Sequence, residues 1–233
     1  MFPEPGQKFV SCHDCIEKSC AVSKLGSHEL ALLNENSRER EFKAGEVILH
    51  EGSLTSHIIY LKSGLVKEYL KVPNQKEQIL QIVKSLSYLG LPSLFGDRVN
   101  NYSYAAMTDI RVCYIDMNVF QTFIRENGNF AFEILVSISR DSLNNFHRVM
   151  SQSQKKAYGK VADALQYFSQ YVYESDSFVL PFTRQEFADL IGISRESATR
   201  VLTHFHQEGI LKVDLKHITI LQSGKLSNIG IHG

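Results

Sequence analysis

The chain has 233 residues, 43% of them hydrophobic and 21% charged, with 25 basic and 25 acidic side chains and a formal charge of zero. That length can bury one or two proper cores. The balance of charge excludes a globally basic nucleic-acid binder, and no apolar run is long enough to span a membrane. The opening MFPEPGQKFV is neither basic nor followed by an apolar segment, so it is not a signal peptide and a cytoplasmic protein is expected.

The first feature along the chain is an arm carrying three of the four cysteines, Cys12, Cys15 and Cys20, spaced C-x2-C-x4-C; the fourth is Cys113. In a cytosolic chain such clustering points to metal binding or thiol chemistry before disulfide scaffolding. A CxxC with a third cysteine can bind zinc as an all-thiolate site or act as a thiol switch. Cys113 also has the period of a strand's core residue, which needs no metal. His13 and His28 lie near the arm and read as solvated.

Ser27–Asn36 (SHELALLNEN) predicts a short amphipathic helix. From Arg40 to Ile115 the pattern changes to short β runs: VILHEG, HIIYLKSG, LVKEYLKV, EQILQIV, YSYAAM and RVCYID. Gly45, Gly52, Ser63-Gly64, Pro73-Asn74 and Gly90 supply turns. Many short strands at regular spacing predict a β-roll or jelly roll. A helical stretch follows from about Val119 to Lys156, with a break near Asn127-Gly128. Its second part has Leu135, Ile138, Phe146 and Val149 on one stripe, completed by Ser142 and Asn145, and predicts a dimer seam weakened by polar residues. AYGKVADALQYFSQYV predicts another amphipathic helix, and FVLPF an extended segment.

Residues 183–209 carry the output. Thr183-x-x-Glu186 is a capping box, Gly192 suits the positive φ of a sharp turn, and Ser194 is placed to cap a second helix. At about 100° per residue, Ala198, Val201, Leu202 and Phe205 share one face, while Arg195, Glu196, Thr199, Arg200 and Thr203 share the other. That is the division expected of a recognition helix in a major groove: arginine matches the O6/N7 edge of guanine, and glutamate accepts from the amino group of cytosine. Ser197 lies beside these groups. After Gly209, two alternating runs around Asp214-Leu215-Lys216 predict a β-hairpin wing. From Lys155 onward nine Lys/Arg face eight Asp/Glu, so DNA affinity has to come from local placement of charge. The surface histidines His204 and His206 need no special role.

The segment TRQEFADLIGISRESATRVLTHFHQEGIL followed by ITI, behind a β-roll and a long helix, resembles the Crp/Fnr family of bacterial transcription regulators over nearly the whole chain. The resemblance implies an α+β protein: a cysteine arm (1–28), a cyclic-nucleotide-binding-like β-roll (29–126), a dimerisation helix (127–156) and a C-terminal winged helix-turn-helix (157–233). It implies a homodimer on an inverted-repeat DNA operator, with RNA polymerase as a candidate partner and no enzymatic activity. Arg195, Glu196 and Arg200 would contact DNA, with Thr199, Ser194 and Ser197 beside them and Arg184 near phosphate. The cyclic-nucleotide branch of the family uses a Gly-Glu pair for ribose and an Arg-Ser pair for phosphate. Here Gly90 precedes Leu91 and the second position is Asn100-Asn101, which argues against that ligand. The oxygen-sensing Fnr branch holds a 4Fe–4S cluster on three N-terminal cysteines and one from the β-roll, a set that Cys12, Cys15, Cys20 and Cys113 resemble. The departure is one of spacing: four residues separate the second and third cysteines, where that branch has five. Two rivals stay open. In one, another small molecule binds the β-roll and the cysteines are structural or hold zinc. In the other the jelly roll is a cupin-like enzyme, for which the isolated His50 and His57 are a poor ligand set.

Overall fold

The structure is a computed structural model that describes residues 11–54, 56–71, 77–96 and 98–233. The Pro73-Asn74 turn and the first ten residues, and with them the reading of a missing signal peptide, lie outside the described residues. The chain divides into two compact units, the first ending at Ser142 and the second running Leu143–Gly233.

In the first unit the strands are β1 (Ser37–Phe42), β2 (Val47–Leu49), β3 (His57–Ser63), β4 (Leu65–Lys71), β5 (Glu77–Lys84), β6 (Ser87–Leu89), β7 (Ser103–Ala106) and β8 (Ile110–Asp116). They form two antiparallel sheets, ordered β1-β8-β3-β6 and β2-β7-β4-β5. Ile59 and Leu61 of β3 enter a core between the sheets with Val66, Tyr104, Ala106 and Val112. Ile58 and Tyr60, pointing the other way, enter a second core against helices. Burial on both faces is why HIIYL is a continuous apolar run rather than an alternating one.

That second core is closed by α1 (Ser27–Glu35), α2 (Leu91–Gly96), α3 (Met117–Glu126) and the start of α4 (Gly128–Gln154). Leu30, Leu33, Leu94, Phe120, Phe123, Phe130 and Ile134 are buried there. Asp116 caps α3 by accepting from the Asn118 and Val119 amides at 2.8 and 3.2 Å. Asn127 breaks the helical stretch as its sequence predicts; its Oδ1 accepts from Phe130 N at 3.0 Å, starting α4. The strand β1 carries the charged run SREREF, which gave no apolar alternation to read. It is an edge strand, where charge guards against unwanted pairing.

The stripe on α4 differs in part from its sequence reading. Ile138 packs on the helix-covered core, and Asn145 accepts from Arg148 Nη2 at 3.2 Å. The exposed apolar residues are instead Phe132, Leu135, Leu143, Phe146, Val149 and Met150, recurring at helical spacing.

The second unit holds α5 (Ala157–Tyr167), a π-helical turn at Phe168–Val172, β9 (Ser177–Val179), α6 (Arg184–Ile191), α7 (Arg195–Gln207), β10 (Leu211–Asp214), β11 (His217–Ile220) and α8 (Ser223–His232). The strands pair in the order β10-β11-β9. Part of the extended FVLPF thus becomes the third strand of the wing's sheet. The buried residues of α7 are Ala198, Val201, Leu202 and Phe205, the four its periodicity assigned. No helix among the described residues is long and apolar enough to cross a membrane.

Candidate functional site

The recognition unit assembles from local chemistry. Thr183 Oγ1 accepts from Glu186 N at 3.2 Å while Glu186 Oε2 accepts from Thr183 N at 2.8 Å, completing the capping box. Gly192 ends α6 at φ +66°, the left-handed conformation that favours glycine. Ser194 Oγ accepts from Ser197 N at 3.1 Å and donates to Ser197 Oγ at 3.1 Å, so both hydroxyls are engaged in starting α7. Arg195, Glu196, Thr199, Arg200 and Thr203 are all exposed on the face opposite the buried four.

Arg184 does something its position in sequence did not announce. Its Nη2 donates to the carbonyl of Leu215 at 2.7 Å, across the wing turn where Leu215 takes φ +51°. The reading of His206 as a bystander is corrected: its Nδ1 accepts from Val213 N of β10 at 3.2 Å, tying α7 to the wing. The ring of His204 stands edge-on to Tyr158 of α5, with centroids 5.4 Å apart.

In the β-roll, Gly90 takes φ +72° and faces Asn100 and Tyr104. Asn100 is buried, and its Nδ2 donates to Ser53 Oγ at 2.9 Å. The buried Glu68 accepts from Tyr104 OH and from Gln81 Nε2, both at 2.8 Å.

Three of the four cysteines, Cys12, Cys15 and Cys113, gather on the outer face of the first sheet. Strand pairing sets Glu39, Cys113, Tyr60 and Tyr88 in one row across β1, β8, β3 and β6. The arm crosses this row. Cys12 N donates to Asn34 Oδ1 at 3.1 Å and its Sγ lies 3.6 Å from Ser37 Oγ; Ser19 Oγ meets Tyr88 OH at 2.6 Å. Between arm and sheet lies a cavity of about 410 Å³ whose walls include Cys12, Cys15, Cys113, Tyr60, Lys62 and Glu39. Burial pushes the Cys113 thiol up to about 12, with Cys12 adding to the effect, and burial also raises Cys12. Cys20 is exposed and is not part of the wall. His13 and His28 are exposed.

Among the described residues no three His, Cys, Asp or Glu side chains converge as they would on a single metal ion. Cys12, Cys15 and Cys113 instead line one cavity together. The Tyr60 hydroxyl on that wall is buried and finds no hydrogen-bond partner among the described residues. A buried orphan donor beside three thiols is a place for sulfur or another acceptor. The donor set and the orphan hydroxyl both fit an iron–sulfur cluster, with Cys20 the one proposed ligand outside the cavity. Sequence reading found the cysteines but not Ser19, Ser37, Tyr60 or Lys62. Only the strand register, which puts Tyr60 beside Cys113, brings these to the site.

A β-roll followed by a winged helix-turn-helix is the architecture of a DNA-binding regulator. Comparison with known proteins agrees: residues 39–127 match the cyclic nucleotide-binding domain and residues 159–229 the Crp-like helix-turn-helix domain. The chain belongs to the Crp/Fnr family of transcription regulators, which bind DNA and act as dimers. It is 24% identical to a fumarate and nitrate reduction regulatory protein of Vibrio cholerae, over 94% of this chain and 90% of that one. It is 25% identical to the nitrogen fixation regulation protein FixK of Bradyrhizobium diazoefficiens, over 96% and 94%. The solved structure of FixK2 from Bradyrhizobium japonicum shares the fold at a TM-score of 0.75 and 19% identity, over 83% of this chain and 96% of that one.

Proposed function

We propose that this protein is a homodimeric, sequence-specific DNA-binding regulator whose operator affinity is gated by oxygen or redox state through a 4Fe–4S cluster on Cys12, Cys15, Cys20 and Cys113. The observation that carries the reading is the cavity: three thiols from the arm and β8 share one wall with an orphan hydroxyl. When bound, such a cluster would supply an oxidation-sensitive cross-link between the arm and the β-roll. The chain's own residues do the rest. Asn34, Ser37 and Tyr88 hold the arm on the sheet. The exposed apolar residues of α4 form the dimer seam, within the division into arm (1–28), β-roll (29–126), dimerisation helix (127–156) and DNA-binding domain (157–233).

At the DNA, Arg195, Glu196, Thr199 and Arg200 are assigned to base edges of an inverted repeat. Ser194 and Ser197 act as the cap that sets the helix's entry. Arg184 is assigned to DNA phosphate beside the wing turn, whose Leu215 carbonyl its Nη2 also holds. No cyclic nucleotide is assigned to the β-roll, because Leu91 follows Gly90 and Asn100-Asn101 stand where the phosphate would need an arginine, Asn100 being already held by Ser53.

The test is purification under argon, followed by iron and sulfide analysis and operator binding before and after exposure to air. The expected result is a coloured dimer that loses operator affinity in air, and a Cys12→Ser variant that binds neither iron nor sulfide. Colourless wild-type protein with unchanged operator affinity would sink the cluster reading and leave the DNA-binding assignment standing.

A further inference from the structure

The cysteine site has a second half that contains no cysteine. Lys62 stands at the point where the pairing of β3 with β8 slips, between Leu61 and Ser63. Two residues beyond Tyr60, Lys62 falls on the same face of β3, and it lines the wall of the cysteine cavity with its side chain only 5% exposed. Its Nζ donates to Glu39 Oε2 at 2.8 Å and lies 3.5 Å from Glu17 Oε2 of the arm. Arg111 pairs with the same two carboxylates, at 3.3 Å to Glu39 and in a short contact with Glu17. Among these four charges Lys62 is the innermost: Glu17, Glu39 and Arg111 are 25%, 19% and 38% exposed. The two other cationic side chains on the wall face elsewhere. Lys18 donates to the His13 carbonyl, and Arg38 to the carbonyls of Glu35 and Ser37.

Neutral thiols need no cation. A group held by several thiolates does, because the thiolates bring more negative charge than the iron core offsets, and burying that excess without a counter-charge is costly. The Tyr60 hydroxyl supplies what the cation cannot, a directed donor with no other partner among the described residues.

We infer that Lys62 is the counter-ion, and Tyr60 the hydrogen-bond donor, of the thiolate-bound iron–sulfur group in this cavity. Both are positioning residues that tune the group and do not ligate it. The inference rests on the cluster reading above and adds the residues that set its charge balance. Hydrogen bonds to sulfur and nearby charge are the terms by which a protein shifts a cluster's potential. Glu17, on the arm side of the same network, acts with the opposite sign.

The experiment is anaerobic reconstitution with iron and sulfide of the full-length wild type and the variants Lys62→Met, Lys62→Arg, Tyr60→Phe and Glu17→Gln. Iron and sulfide are counted and each protein is titrated potentiometrically. In Lys62→Met the reduced-to-oxidised ratio at a fixed potential should fall roughly tenfold, which for a one-electron couple is about 59 mV. Lys62→Arg should stay near wild type, Tyr60→Phe should shift the same way by less, and Glu17→Gln should shift the opposite way. A residue that merely held the fold would not give opposite signs for opposite charges. If Lys62→Met loads no iron while Lys62→Arg loads normally, the counter-ion role also stands. If wild type and Lys62→Met load alike and share one potential, or if Lys62→Arg also fails to load although folded by circular dichroism, the inference is overturned and the cluster reading survives. If wild type itself takes up no iron or sulfide, the cluster reading fails and this inference falls with it.

Discussion

The recognition unit and the cysteine cavity satisfy their polar groups in opposite ways. Around α6 and α7 the caps that start the helices are answered three residues away: Thr183 by Glu186, Ser194 by Ser197. Around the cavity the partners are far apart in sequence. Ser19 meets Tyr88, Glu17 meets Arg111, and Tyr60 meets none among the described residues. A structure that is locally complete is a finished tool, whereas one that leaves a buried donor unanswered is built around something it does not itself supply. The recognition unit is complete in the first sense, and the cysteine cavity, the proposed input end, is incomplete in the second.

The largest expected effect tests the completeness of the output end. Phe205 is fully buried among α7's core residues and stands edge-on to Tyr158 of α5. Phe205→Ala should destabilise the second unit by about 3–5 kcal/mol, abolishing operator binding while iron and sulfide uptake at the cavity stays at the wild-type level. Loss of metal uptake as well would show that the two regions are not separable in this way. Next is the seam. Phe146 is 63% exposed on α4, and Phe146→Glu should convert the dimer to monomer. Because paired half-sites act as one bivalent ligand, apparent operator affinity should fall by roughly 10²–10⁴. Sedimentation together with operator titration checks it, and a variant that stays dimeric would remove Phe146 from the seam. Smaller again is Arg200→Ala, which should cost about 1–3 kcal/mol and relax specificity at one base pair. A uniform loss across all operator variants would make Arg200 a phosphate contact instead.

The same contrast explains how much of the molecule was legible in its sequence. The helix-turn-helix was readable to the residue, since caps, turn glycine and helical period are all short-range signals. The β-roll was readable as a set of strands, except β1, whose charged SREREF hides an edge strand, and the three-residue β6. The terminal helix α8 went unread as well; among its residues only Leu226 and Gly230 are buried, so it shows little apolar stripe. At the cavity, the cysteines announced themselves by residue type alone. Lys62 and Tyr60 could not, because what gives them meaning is register: a pairing of Tyr60 with Cys113 across 53 positions of chain, with Lys62 two residues further along the same face. Arg184 adds a contact that its place in the motif did not announce, from its Nη2 to the Leu215 carbonyl of the wing.

The finest test sets two small polar deletions against each other. Ser194→Ala removes a hydroxyl that accepts from Ser197 N, so the start of α7 loses its cap and the second unit should lose about 1 kcal/mol. Tyr60→Phe removes a hydroxyl of similar size, but one that is buried without a partner among the described residues. Leaving a buried donor unsatisfied is itself costly, so its deletion should stabilise the metal-free first unit by about 1 kcal/mol. Chemical denaturation of the metal-free variants reads both effects. Opposite signs are the expected outcome, because one site is completed by its own chain and the other waits for an acceptor. If Tyr60→Phe destabilises the metal-free protein as Ser194→Ala does, then the Tyr60 hydroxyl is already satisfied without the bound group. The distinction between a finished output and an unfinished input would then lose its clearest physical mark.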